Sequence, residues 1–132
     1  MIELPEGPWS DWDVLQFDGA NLRLAAGYDL TYHHGLEIVF TDVAYLACPI
    51  YFWDPRFREP TPGERELVRR YSGEEPPVIV AFDIESPIGA DLLPCLVAAE
   101  AVEIVVGLVY RYWREDLAAG ERLAPNVRPP KL

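Results

Sequence analysis

The sequence predicts a mainly β protein of the α+β class, with six or seven antiparallel strands. These strands are expected to form a meander-type sheet, arranged as a sandwich or an open barrel, with one short helix packed on it as a lid. Apolar and polar side chains alternate with a period of two through residues 13–48 and again through 102–113. Half of the 132 residues are hydrophobic and 12% are aromatic, enough to form the core of one domain.

The first third of the chain is predicted to form a four-stranded meander. The expected strands lie near residues 13–17, 20–25, 28–33 and 36–47. Asp18 and Gly19 form a strong signal for a short hairpin loop, and Gly27 and Gly35 mark the next two turns because glycine tolerates positive φ. Asp42 interrupts the apolar face of the fourth strand, which indicates a β-bulge or a strand end.

A proline-rich connection is predicted to lead into the one clear helix. Residues 49–62 contain four prolines and four aromatic residues, and proline removes hydrogen-bond donors from a sheet. Thr61 is placed to cap a helix that begins at Pro62, and Glu64 completes a Thr-x-x-Glu capping box. Gly73 is placed to end this helix.

The second half of the chain is predicted to add two strands to the sheet. One lies near residues 78–85, and β-branched residues favour a long strand beyond residue 102. Residues 92–101 remain open between helix and strand, because alanine and leucine favour a helix. We expect one globular domain over residues 1–124 and a proline-rich tail over 125–132.

The charge balance restricts the classes of partner. The chain carries 22 acidic and 11 basic residues, for a formal net charge of −11. Such a surface repels the phosphates of nucleic acids and the headgroups of anionic membranes, whereas it attracts a basic protein. The sequence has no apolar run of the roughly 20 residues that a membrane span requires, and its first residues do not form a secretory signal. A cytoplasmic protein is therefore expected.

Several common chemistries have no support in the residue types and their spacing. No serine lies in a G-x-S-x-G turn, and Lys131, the only lysine, is too near the end of the sequence for a P-loop or a Schiff base. No G-x-G-x-x-G motif is present, and Cys48 and Cys95 belong to no C-x-x-C pair. We expect no cofactor, no metal and no established catalytic residue.

The two histidines are adjacent, and we expect them at a corner between two strands. A zinc site needs three or four ligands, which the surrounding residues do not supply at the usual spacing. An alternative is a small enzyme or a ligand-binding barrel, in which His33 acts as a general base with Asp29 or Glu37 nearby.

The favoured hypothesis is a non-catalytic protein-binding module. Tyrosine, tryptophan and arginine are enriched at binding hot spots, and these residue types cluster in the proline-rich connection. The predicted contact residues are Tyr51, Trp53, Arg56, Phe57 and Arg58. The partner is expected to be a basic protein or a second copy of the chain. In size and charge, though in no motif, the chain is comparable with bacterial immunity proteins that neutralise basic toxins.

Overall fold

Eight strands and one helix form the described chain, residues 2–89 and 91–131, in this computed structural model. In chain order they are β1 (Asp11–Phe17), β2 (Leu22–Gly27), β3 (His33–Ala47), β4 (Tyr51–Trp53), β5 (Arg56–Arg58), α1 (Pro62–Ser72), β6 (Val78–Glu85), β7 (Leu92–Tyr110) and β8 (Arg122–Leu123). Seven strands form one antiparallel sheet in the order β4-β1-β2-β3-β7-β6-β5, and β8 pairs in parallel with the end of β7. The predicted mainly β class with one helix is confirmed.

The sheet is strongly curled, because its two edge strands are consecutive in the chain. β4 and β5 lie at opposite ends of the strand order, yet only Asp54 and Pro55 separate them. An extended chain advances at most about 3.6 Å per residue, so this link can span only about 11 Å. The sheet must therefore bend until its edges approach each other, which produces an open half-barrel.

The concave face of the sheet holds the main hydrophobic core. Leu22 and Leu24 of β2 lie opposite Phe40 and Ile38 of β3, and all four side chains are buried. Four aromatic rings from different strands pack together near the two edges: Trp12, Phe52, Phe57 and Phe82. Their ring centroids are 5.1–6.0 Å apart in contacting pairs. The space enclosed by the half-barrel is therefore occupied by packed side chains.

The predicted four-stranded meander is wrong by one strand. Residues 28–32 form a turn between β2 and β3, although their side chains alternate as in a strand. The Asp29 carboxylate accepts hydrogen bonds from the Thr31 backbone N–H at 2.9 Å and from its hydroxyl at 2.6 Å. This local side-chain bonding competes with sheet pairing and closes the turn.

Strand pairing decides two further predictions, the bulge at Asp42 and the structure of residues 92–101. Asp42 has a left-handed φ of 54°, and the register of β3 shifts between Val43 and Tyr45, so the predicted bulge is confirmed. Residues 92–101 belong to β7, which pairs with β3 on one side and β6 on the other. Hydrogen bonding on both edges outweighs the helix preference of the alanines in this segment.

The predicted helix and its caps are confirmed. Thr61 accepts a hydrogen bond from the Glu64 N–H, the Glu64 side chain accepts one from the Thr61 N–H, and Gly73 ends the helix with φ 82°. α1 buries Val68 against Ala81 and Leu96 on the convex face of the sheet. The helix thus covers the outside of the half-barrel.

Val68→Ala is expected to lower the free energy of unfolding by about 2 kcal/mol, because it removes two buried methyl groups and leaves a cavity. Urea denaturation measures this change. Leu67→Ala is the matched control, since Leu67 is the exposed neighbour in the same helix and should cost well under half as much. Equal losses for the two variants would contradict the described packing of α1.

Candidate functional site

The two adjacent histidines have opposite environments. Both belong to the start of β3, so their predicted position at a hairpin corner is wrong; the chain turns earlier, at residues 28–32. His33 is exposed and packs edge-on to Tyr110, with ring centroids 6.4 Å apart. His34 is fully buried.

His34 lies at the centre of a buried polar chain. Its Nε2 is 2.8 Å from Oε2 of Glu37, and the Arg111 Nε donates a hydrogen bond to its Nδ1 at 3.1 Å. A guanidinium group can only donate, so Nδ1 is the acceptor and Nε2 carries the proton that is donated to Glu37. The two neighbours therefore select one neutral tautomer of the ring.

Glu37 is buried but fully partnered. Its Oε1 accepts from the Arg23 Nη1 at 2.6 Å, and the Arg122 Nη2 lies 3.3 Å from its Oε2. Burial raises the pKa of Glu37, but hydrogen bonds from His34 and Arg23 and the charge of Arg122 outweigh burial and bring the pKa to about 2. The carboxylate is therefore ionised.

Arg111 extends this chain to the first strand. Its Nη1 and Nη2 donate to the two carboxylate oxygens of Asp13 at 2.6 and 2.9 Å. We name the connected set the His34 cluster: Asp13, Arg23, His34, Glu37, Arg111 and Arg122. The cluster ties the segment that follows β7 to β1, β2 and β3, which is a structural role.

Within the described residues, no hydrogen bond joins His33 to Asp29 or Glu37, the two carboxylates of the enzyme alternative. The Glu37 carboxylate contacts His34 instead, and Oδ1 of Asp29 accepts both hydrogen bonds from Thr31. Hydrogen bonds from Thr31 are the main cause of the lowered pKa of Asp29, with a smaller effect from His33. Within residues 2–89 and 91–131, no three histidine, cysteine or acidic side chains are grouped to hold a metal ion.

The three predicted contact residues of β5 are held by the core, by α1 or by β6. Arg58 donates to Glu64 at 2.6 Å and to Asp83 at 3.0 Å, which fastens the start of α1 to β6. The Phe57 ring contacts those of Trp12 and Phe82. Arg56 is exposed and lies 3.1 Å from Glu85.

The remaining two predicted contact residues stand on the outside of β4. Tyr51 is 41% exposed and Trp53 is 50% exposed, whereas Phe52 between them is buried in the core. The Tyr51 and Trp53 rings meet edge to face with centroids 4.8 Å apart. Asp11 lies directly opposite Trp53 in the β1–β4 pair, and its Oδ2 accepts a hydrogen bond from the Tyr51 hydroxyl at 3.3 Å. We name Asp11, Tyr51 and Trp53 the β4 face.

A second exposed aromatic group was not among the predicted site residues. Tyr32 on the 28–32 turn contacts Tyr112, and Tyr112 contacts Tyr110. Tyr28, on the same turn, is strongly exposed. The Asp-x-Thr pattern at residues 29–31 was the signal that could have placed these tyrosines on a turn, because such side chains close turns.

Ser10 connects the two aromatic surfaces. Its carbonyl accepts from the Asp54 N–H at 2.8 Å, and its hydroxyl donates to the Tyr28 carbonyl at 3.5 Å. The Tyr28 backbone therefore lies beside the start of β1, close to Asp11 of the β4 face.

Comparisons with protein-family models, with curated proteins and with solved structures found no match. Within the described residues, no helix has the length and apolar character needed to cross a membrane.

Glu37→Gln is expected to destabilise the protein by on the order of 3 kcal/mol near neutral pH, because the folded pKa of about 2 lies well below the usual value of 4.5. Because the pKa of Glu37 is lower in the folded than in the unfolded protein, its ionised carboxylate stabilises the fold fully at pH values above the unfolded pKa. This stabilisation is lost as the pH falls to the folded pKa. The difference between wild type and variant should therefore be full above about pH 5 and shrink toward pH 2.

Urea denaturation across this pH range measures the difference. Glu103→Gln, which changes an exposed carboxylate of β7, is the matched control and should show little effect at any pH. A pH-independent difference for Glu37→Gln would contradict the ionised, partnered state of this carboxylate.

Proposed function

We propose that this protein is a non-catalytic protein-binding module that uses the β4 face as its contact surface. The main support for the proposal is that the two faces of β4 differ: one side chain is buried in the core and the other two are exposed to solvent. Phe52 is locked against Trp12 and Phe82, while Tyr51 and Trp53 point away from the core. The displayed rings are thus held by a rigid support.

Rigid exposed aromatic side chains suit binding better than they suit stability. Large rings gain most from burial, so an exposed tyrosine–tryptophan pair leaves favourable contact area unused in the free protein. Tryptophan and tyrosine are enriched at interface hot spots, and rings that are already ordered lose little entropy when a partner binds. The edge contact between Tyr51 and Trp53 supplies this order.

Charge supports a basic partner. The chain has a net charge of −11, and the β4 face includes the Asp11 carboxylate and adjoins that of Asp54. Neither Asp11 nor Asp54 forms an ion pair with the described residues. Unpaired carboxylates beside aromatic rings attract basic side chains and accelerate association with a basic protein.

We also propose a cytoplasmic location, which is supported by the free thiols of Cys48 and Cys95. The alternative of a small enzyme or ligand-binding barrel has less support. His33 is exposed, and the interior of the half-barrel is packed with side chains.

Affinity capture from native lysate, followed by measurement of the dissociation constant with the captured protein, tests the proposal. Trp53→Ala is expected to weaken binding by at least about 30-fold, the effect of a typical hot-spot residue. Tyr71→Ala is the matched control, because Tyr71 is an exposed aromatic residue of α1, outside the β4 face, and its removal should leave affinity unchanged.

Two outcomes would contradict the proposal. One is equal binding of the same partner by wild type and Trp53→Ala. The other is a strictly monomeric protein, by light scattering, that captures no partner at physiological salt.

A further inference from the structure

We infer that the β4 face binds an arginine side chain of a basic protein partner, with the guanidinium stacked on Trp53 and paired with the Asp11 carboxylate. The inference rests on the proposed function and specifies the chemistry of its contact surface. Its support is the similarity between two places, the site that holds Arg114 and the β4 face.

The first place is an occupied guanidinium site. The guanidinium carbon of Arg114 lies 4.3 Å from the ring centroid of Tyr110 and 5.9 Å from that of Tyr112. The same group donates from Nε and Nη2 to the two carboxylate oxygens of Asp116, both at 3.1 Å. Two aromatic rings and one carboxylate therefore hold an arginine in this protein.

The second place, the β4 face, offers the same kinds of group, two aromatic rings and a carboxylate, and no arginine of the described chain stacks on these rings. The Tyr51 and Trp53 rings are 4.8 Å apart at an angle of 81°, and Asp11 is the cross-strand neighbour of Trp53. The Tyr51 hydroxyl occupies Oδ2 of Asp11, while no hydrogen bond from the described chain reaches Oδ1. This oxygen is free to accept from a guanidinium, and tryptophan is the strongest aromatic partner for a cation.

Neighbouring arginines of the chain are already engaged. Arg111 makes a two-pronged contact with Asp13, the residue opposite Tyr51, and Arg56 pairs with Glu85. Arg111 thereby neutralises Asp13 and leaves Asp11 as the carboxylate that faces the rings. We therefore assign the cation to the partner.

The geometry favours arginine over lysine. A guanidinium is planar and weakly hydrated, so it can stack on a ring and donate to a carboxylate at the same time. An ammonium is a compact, strongly hydrated charge that cannot stack. Arginine should therefore bind more tightly than lysine at this face.

A titration followed by NMR on the full chain tests the inference. The probes are three capped tripeptides, Gly-Arg-Gly, Gly-Lys-Gly and Gly-citrulline-Gly, in which citrulline has the shape of arginine without its charge. The Arg probe is expected to shift the Trp53 indole N–H and the Tyr51 amide selectively. Its affinity should exceed that of the citrulline probe by about tenfold or more.

Two variants test whether the NMR shifts depend on the Asp11 carboxylate. Asp11→Asn keeps an acceptor for the Tyr51 hydroxyl but removes the charge, and it should weaken the Arg probe about tenfold. Glu100→Gln removes an exposed carboxylate of β7 and should leave the titration unchanged. Equal affinity for arginine and citrulline, equal affinity for lysine, or shifts spread over the acidic surface would each overturn the inference.

The outcomes also separate this inference from the proposed function. If a captured partner requires Trp53 but is indifferent to replacement of its own arginines by glutamine, the inference fails and the proposed function stands. Arg128 is an exposed arginine that follows β8. If instead the protein self-associates and Arg128→Gln abolishes this, the arginine comes from a second copy, and the assignment to a different basic protein is overturned.

Discussion

The two-residue link between β4 and β5 is the constraint on which the rest of the fold depends. Asp54 and Pro55 join strands that lie at opposite edges of the sheet, so the sheet can form only if it curls. Asp54 adopts a left-handed φ of 45°, which aspartate tolerates better than most residues, and proline stiffens the link. Curling then brings Phe52 from one edge against Phe82 near the other.

The same constraint produces the candidate site. In a strand, successive side chains point to opposite faces, so fixing Phe52 in the core directs its two neighbours outward. Tyr51 and Trp53 are exposed because the middle residue of β4 is buried, and pairing with β1 places Asp11 beside them. The candidate binding surface is therefore a geometrical consequence of core packing.

The His34 cluster stabilises the face of the sheet that points away from the main core, the same face on which Asp13 lies opposite Tyr51. Burying a carboxylate is costly unless each oxygen has a donor, and Glu37 meets this condition through His34 and Arg23. The charge of Arg122, 3.3 Å away, adds to this stabilisation. Because Arg111 and Arg122 belong to the segment after β7, the cluster also positions the loop that carries Tyr112 and Arg114. A polar network thus holds the segment after β7 against the sheet, as hydrophobic contacts hold other parts of this fold together.

The sequence predicts the parts of this structure that depend on local patterns. Alternation identifies most of the strands, the Thr61 capping box identifies α1, and Asp42 identifies the bulge. It fails where a local hydrogen bond competes with alternation, as at Asp29, and where distant residues meet. Asp13 and Arg111 are 98 residues apart, and nothing near either one shows that they pair.

The candidate site was predictable only in part for the same reason. Composition drew attention to the cluster from Tyr51 to Arg58, but strand direction decides which members are displayed. Phe57 and Arg58 contribute to packing and ion pairing within the fold, and only the structure distinguishes them from Tyr51 and Trp53.

The most direct test of the account is the solvent accessibility of individual aromatic residues in the native protein, measured by photochemically induced nuclear polarisation. The account predicts strong polarisation of Trp53 and none of Trp12, which is fully buried opposite Phe52. A slip of β4 by one residue would reverse the two sides of the strand. Polarisation of Trp12 together with no polarisation of Trp53 would contradict both the packing of the core and the exposure of the β4 face.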